Sequence, residues 1–191
     1  FRYARSSQLL AQALLTAVLI YLAMGPIQVV LPRFAQQTLH LGEMQRGLFL
    51  GALALAFLIG GAIALPLARY FGQGRVLFVA AVISGSGLIL LGNSERLGTA
   101  LLFLGCNGIC AGVAVSLVVA LLQQESEAQF RGRLLSIYTV TSQVIPAAGG
   151  LGAGLLLEVL PASQGLLLCG VALTCLFLVA AWRLRLLRAY G

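Results

Sequence analysis

The sequence predicts an all-α integral membrane fold, one transmembrane domain of six helices over residues 1–191, and three observations carry that prediction. The 191 residues are 60% hydrophobic and 9% charged, with a mean hydropathy of +1.02, too little polar surface to coat a water-soluble globule. The apolar residues fall in continuous runs of about 20 residues, which at 1.5 Å rise per residue cross a hydrocarbon core about 30 Å thick. The runs do not alternate polar with apolar as barrel strands do. Of the two architectures that satisfy every backbone polar group in lipid, the helical bundle is therefore selected.

Six runs stand between charged punctuation, at Leu9–Leu31, Leu48–Ala68, Val76–Gly92, Thr99–Leu122, Leu134–Leu160 and Gly165–Trp182. In the first, Gly25-Pro26 removes a backbone donor and leaves a carbonyl free, Gln28 lies close by, and Pro32 is expected to end the helix. Gln28 either gates or binds a substrate beside a bent helix, or caps the freed carbonyl of a static kink. The second run follows Gln45-Arg46-Gly47. Small residues recur at four-residue spacing in Gly47/Gly51, Ala56/Gly60, Gly108/Gly112 and Gly150/Gly154, which predicts close helix contacts.

The third and sixth runs are the most uniformly apolar and are expected to face lipid. In the fourth, Asn107 and Ser116 sit well inside an apolar stretch. A buried amide is costly unless paired, so these two either contact substrate or bond to another helix. The fifth opens with Ser136, Tyr138, Thr139, Thr141, Ser142 and Gln143, a polarity that demands partners or water.

Arginine placement predicts orientation, because basic residues in short loops are retained in the cytoplasm. Arg2, Arg5, Arg69, Arg75, Arg131, Arg133, Arg183, Arg185 and Arg188 fall on the side shared by both ends, against Arg33, Arg46 and Arg96 opposite. Both ends are thus expected in the cytoplasm, the membrane being the inner or plasma membrane. Tyr3, Tyr70, Trp182 and Tyr190 stand near the expected interfaces. The net charge of +7 reports topology and anionic lipid contact, not a nucleic acid partner. All basic side chains are Arg and all acidic ones Glu, which reads as the coding bias of a GC-rich bacterium. No cleavable signal peptide is visible, and the opening on Phe1 reads as a piece of a longer protein.

No cofactor or metal is expected. Cys106, Cys110, Cys169 and Cys175 all lie in spans, and the only histidine, His40, lies in a loop; such cysteines read as small hydrophobes. An intramembrane serine protease would need a membrane-embedded histidine beside its nucleophile, so enzyme chemistry is not expected. No Asp occurs, and Glu43, Glu95, Glu125, Glu127 and Glu158 lie in or beside loops, Glu158 reading as a surface residue. A proton-coupled pathway needs an ionisable group in the membrane, so that group is expected elsewhere.

The stretch Phe130-Arg131-Gly132-Arg133-Leu134-Leu135-Ser136-Ile137-Tyr138, leading into a Gly-rich helix with Pro146, resembles the cytoplasmic loop and eleventh helix of major facilitator superfamily exporters of the drug and siderophore branch. Gly61 through Arg75 resembles the superfamily's loop motif, with Arg69, Gly72 and Arg75 in register and Ala68 at the position of the motif's Asp. That departure implies a weaker or differently built latch, because in the family the carboxylate pairs with basic and helix-end groups. Segment order, loop lengths and charge positions fit the family's helices seven to twelve.

The resemblance implies half of a twelve-helix fold, made of two inverted three-helix units. Gln45-Arg46-Gly47-Leu48 echoes Phe130-Arg131-Gly132-Arg133, each leading toward a glycine pair, Gly60-Gly61 and Gly149-Gly150. The first and fourth helices would line the substrate pathway, with Gly25, Pro26, Gln28, Asn107 and Ser116 as candidates. Tyr138, Thr139 and Gln143 would sit at the seam with the amino-terminal half, and the third and sixth helices would support the others. The partners implied are membrane lipids, that other half and a small-molecule substrate. The expected function is export of small amphipathic molecules, of drug, siderophore or lysolipid class, by alternating access. The alternative is a transporter-like subunit or assembly factor without transport activity.

Overall fold

In the computed structural model, which describes residues 2–125 and 131–183, six α-helices follow one another: α1 Arg2–Gln37, α2 Glu43–Phe71, α3 Gln73–Gly92, α4 Leu97–Glu125, α5 Arg131–Val159 and α6 Ala162–Arg183. Each is long and apolar enough to cross a membrane. They outrun the apolar stretches because backbone hydrogen bonds continue past the hydrocarbon edge, where charged side chains reach the headgroups. Arg33, Glu43 and Arg46 are helical for this reason.

Pro32 does not end α1, which runs on to Gln37. The turn that follows is tight. His40 adopts φ 52°, and Gln45 Oε1 accepts the Gly42 N–H at 3.1 Å to start α2. Between α2 and α3 the chain turns on Gly72, whose φ of 86° suits glycine and whose N–H reaches Ala68 O at 2.9 Å.

The three most extensive helix pairings are not between sequence neighbours. They pair α1 with α5, α2 with α4, and α3 with α6, while α3 also packs on α4 and α6 on α1. Exchanging the first three helices for the last three leaves this pattern unchanged, as two inverted three-helix units require.

The glycine contacts establish the register of that repeat. A Cβ on Gly25 would strike Pro146 O and lie 2.8 Å from Gly150 N; a Cβ on Gly112 would strike Phe57 O and lie 3.0 Å from Gly61 N. Gly149 meets Leu22 O as Gly60 meets Ile109 O, and Gly150 meets Val29 as Gly61 meets Ser116. The α3–α6 pair maps onto itself, with Gly85 against Thr174 and Gly170 against Ile89. Gly25 thus corresponds to Gly112, and Gly60-Gly61 to Gly149-Gly150. The Arg46-Gly47 and Arg131-Gly132 pairs lie one helical turn out of this register.

Two expectations require correction. Helix α3 is the most buried of the six, exposed to lipid only along a strip with Val79, Ile83 and Leu90, because Ser84, Gly85, Gly87 and Gly92 give it a surface on which α4 and α6 close. Gly47, Gly51 and Gly154 meet nothing within 4 Å, so the first small pair packs no helix and only Gly150 of the last pair does. Ala56/Gly60 and Gly108/Gly112 do form the α2–α4 contact.

The core runs through the middle of the bundle, with Phe34, Phe49, Leu88, Leu104, Leu117, Leu166 and Phe177 almost fully enclosed. Large apolar side chains such as Leu58, Leu102 and Leu155 cover the exterior, a distribution suited to lipid as solvent.

Candidate functional site

Helices α1 and α5 approach until backbone touches backbone at Gly25, Gly149 and Gly150. Pro26 contributes to this closeness. It has no N–H, so the carbonyl of Leu22 one turn back loses its helical partner, and that oxygen faces Gly149, which also leaves room for the Pro26 ring. Glycine here permits a C–H···O contact in place of the lost bond. The Gln28 amide does not cap the kink and makes no hydrogen bond among the described residues.

Beside this contact lies an open groove of about 850 Å³, lined by Gln28, Ser142, Gln143, Pro146, Leu151 and Glu158 among others. Gln143 is exposed and, like Gln28, has no hydrogen-bond partner among the described residues. The other hydroxyls of α5 are largely spent locally. Ser136 bonds Gly132 O, Thr141 bonds Ile137 O and Ser142 bonds Thr139 O, as short hydroxyl side chains commonly do in helices. Tyr138 shares a hydrogen bond with the Tyr21 hydroxyl, their rings edge-on with centroids 5.7 Å apart. Thr139 is exposed and engaged.

Gln28 also borders a second groove of about 560 Å³ between α1, α2 and α4, where Leu31, Leu53, Phe57 and Asn107 form part of the wall. Asn107 is 2% exposed and donates to Ser84 O and Ser84 Oγ, each at 2.9 Å. Its amide nitrogen is therefore committed to joining α4 to α3. Ser116 packs its hydroxyl toward Gly61, a close helix contact that Val29 reproduces in the other unit. Gln28 and Gln143 thus share one groove, Gln28 and Asn107 share the next, and Ser116 lies apart from both.

Glu158 is the residue that sequence reasoning left out of the site. Its signal was the four-residue ladder Pro146, Gly150, Gly154, Glu158 down one side of α5, all on the groove. Near this end Arg33 reaches Leu157 O at 3.4 Å.

The inverted repeat supplies an internal control for this polarity. In the register fixed by the glycines, Gln28 corresponds to Val115, Ser142 to Leu53, Gln143 to Ala54 and Glu158 to Arg69. The close backbone packing is kept in both units while the amides occur in one. Packing two such units together does not require them.

At the opposite end, Arg69 stands in the last turn of α2, Gly72 makes the turn and Arg75 stands in the first turn of α3, both arginines exposed. Ala68 is buried, and its carbonyl caps the turn. Gly132 is exposed with open space around it, while the Arg131 and Arg133 side chains lie outside the described residues.

A family model described as Major Facilitator Superfamily matches residues 13–190. No curated protein matches the chain.

Proposed function

The chain belongs to the major facilitator superfamily, a family of membrane transporters, and on that premise we propose that it forms one six-helix half of an exporter of small amphipathic molecules. The observation that carries this reading is the pair of amides, Gln28 and Gln143, without hydrogen-bond partners among the described residues, on one groove of a membrane-spanning bundle. A bare amide in hydrocarbon costs several kcal/mol, so this groove is suited to water, substrate or a second half, not to lipid tails.

In this reading α1 faces the substrate pathway at Gly25, Pro26 and Gln28, and α5 presents Tyr138, Thr139 and Gln143 to the amino-terminal half. Asn107 and Ser116 hold helices together behind that surface. The grooves carry apolar walls with few charges, which favours amphipathic cargo of drug, siderophore or lysolipid class. The excess of arginine on one side supports cytoplasmic ends in an inner membrane. Alternating access would rock this half against the other around the groove.

A second reading, a transporter-like subunit without transport activity, is favoured by Ala68. At the motif's carboxylate position the chain offers only a methyl group, buried against the turn. The test for both is the full-length protein in proteoliposomes under an imposed proton gradient, with fluorescent lysolipid, drug and siderophore cargo. Gradient-dependent movement that weakens in Gln28→Leu supports the exporter. No movement of any cargo, with a stoichiometric partner on purification, supports the subunit.

A further inference from the structure

We propose that the groove between α2, α3 and α4 holds an acyl chain of an anionic phospholipid, with the lipid phosphate on Arg75. The groove has a volume of about 530 Å³ and lies apart from the α1–α5 surface. Ile63, Leu67, Val79, Ile83 and Val113 make an apolar trough, and Arg75 with Tyr70 stands at one end. From Arg75 to Ile83 the trough follows α3 for about 12 Å, the greater part of one leaflet's hydrocarbon depth.

Charge complementarity identifies the headgroup. Arg75 is exposed and has no ion-pair or hydrogen-bond partner among the described residues. Among the described residues no acidic side chain lines the groove, and Arg69 directly precedes Tyr70 at its mouth. A guanidinium binds phosphate with two parallel N–H bonds, and the Tyr70 hydroxyl adds a further donor. In the orientation proposed above, this end meets the cytoplasmic leaflet, whose anionic lipids attract such side chains.

The test places the full-length protein in nanodiscs of equimolar phosphatidylglycerol and phosphatidylcholine and measures retained lipid by native mass spectrometry. Arg75→Ala should lower the ratio of retained phosphatidylglycerol to phosphatidylcholine by about fivefold, the worth of one cation near a lipid surface. Arg75→Lys should lose less. Val79→Trp, which fills the trough from its exposed side, should remove the retained lipid of both kinds. An unchanged ratio in Arg75→Ala overturns the proposal, as does lipid retained undiminished in Val79→Trp. An equal drop in Arg96→Ala, at the opposite membrane face, would reduce the effect to general surface charge and also overturn it.

Discussion

The side-chain nitrogen of Asn107 on α4 lies 2.9 Å from both the carbonyl oxygen and the hydroxyl of Ser84 on α3. Both residues are buried, so this is the enclosed polar tie of the α3–α4 contact, whose exposed end is joined by Gln73 donating to Gln124 at 3.2 Å. Asn107→Leu should cost about 0.6 to 1.7 kcal/mol, the range of polar helix contacts in membranes. The Ser84 hydroxyl can still turn to its own helix. A lower thermal midpoint in detergent with an unchanged transport KM is the expected outcome. A raised KM at an unchanged midpoint would move Asn107 to the substrate.

The equivalent glycines should respond alike. A Cβ at Gly25 or Gly112 would strike a backbone carbonyl on the facing helix, which no rotamer change can relieve. Gly25→Ala and Gly112→Ala should each destabilise by about 1 to 3 kcal/mol or more. Gly105→Ala and Gly152→Ala, with nothing within 4 Å, should be neutral or stabilise by about 0.5 to 1 kcal/mol. Equilibrium unfolding of the four variants checks this, and similar stability in all four would refute the close approach.

How far the sequence could reveal this structure depended on which property each residue reports. Apolar runs located all six spans, because hydrocarbon thickness imposes length directly. The runs could not show that α3 is the most buried helix, since a lipid-facing helix and a buried one are both apolar. Ser84, Gly85 and Gly87 held that information through size, not hydropathy. Pro32 looked like a helix end, yet its missing donor is tolerated where the preceding carbonyl can find another partner. The glycine echo was legible and in register, whereas the arginine echo was not. Arg46 and Arg131 respond to the membrane surfaces, which do not constrain register to a single turn. Gln28 and Gln143 were legible as polar residues, but only the fold shows them on one groove.

Gly72 carries φ 86° and ψ 135° between α2 and α3, a region outside both the ordinary and the left-handed helical basins. Gly72→Ala should therefore cost about 1 to 3 kcal/mol. Gly72→Asn should not rescue it, because asparagine is tolerated in the left-handed helical region and not in this one. Protease sensitivity of the α2–α3 turn in both variants is the measurement, and resistance equal to the parent would show that the turn relaxes without strain.

Gln28 and Gln143 separate function from fold, because Val115 and Ala54 already occupy their places in the other unit. Their loss should leave the bundle intact, so Gln28→Leu and Gln143→Leu should keep the parent thermal midpoint within about 0.5 kcal/mol. Each neutral hydrogen bond to cargo or to the other half is worth about 1 kcal/mol, so each variant should lose about fivefold in transport kcat/KM. If both amides meet one cargo molecule, the double variant should depart from additivity, since contacts to one ligand are coupled. If Gln143 meets the other half instead, its effect should fall on kcat with KM unchanged, and the two losses should multiply. Stability lost in step with transport would return both amides to a structural role.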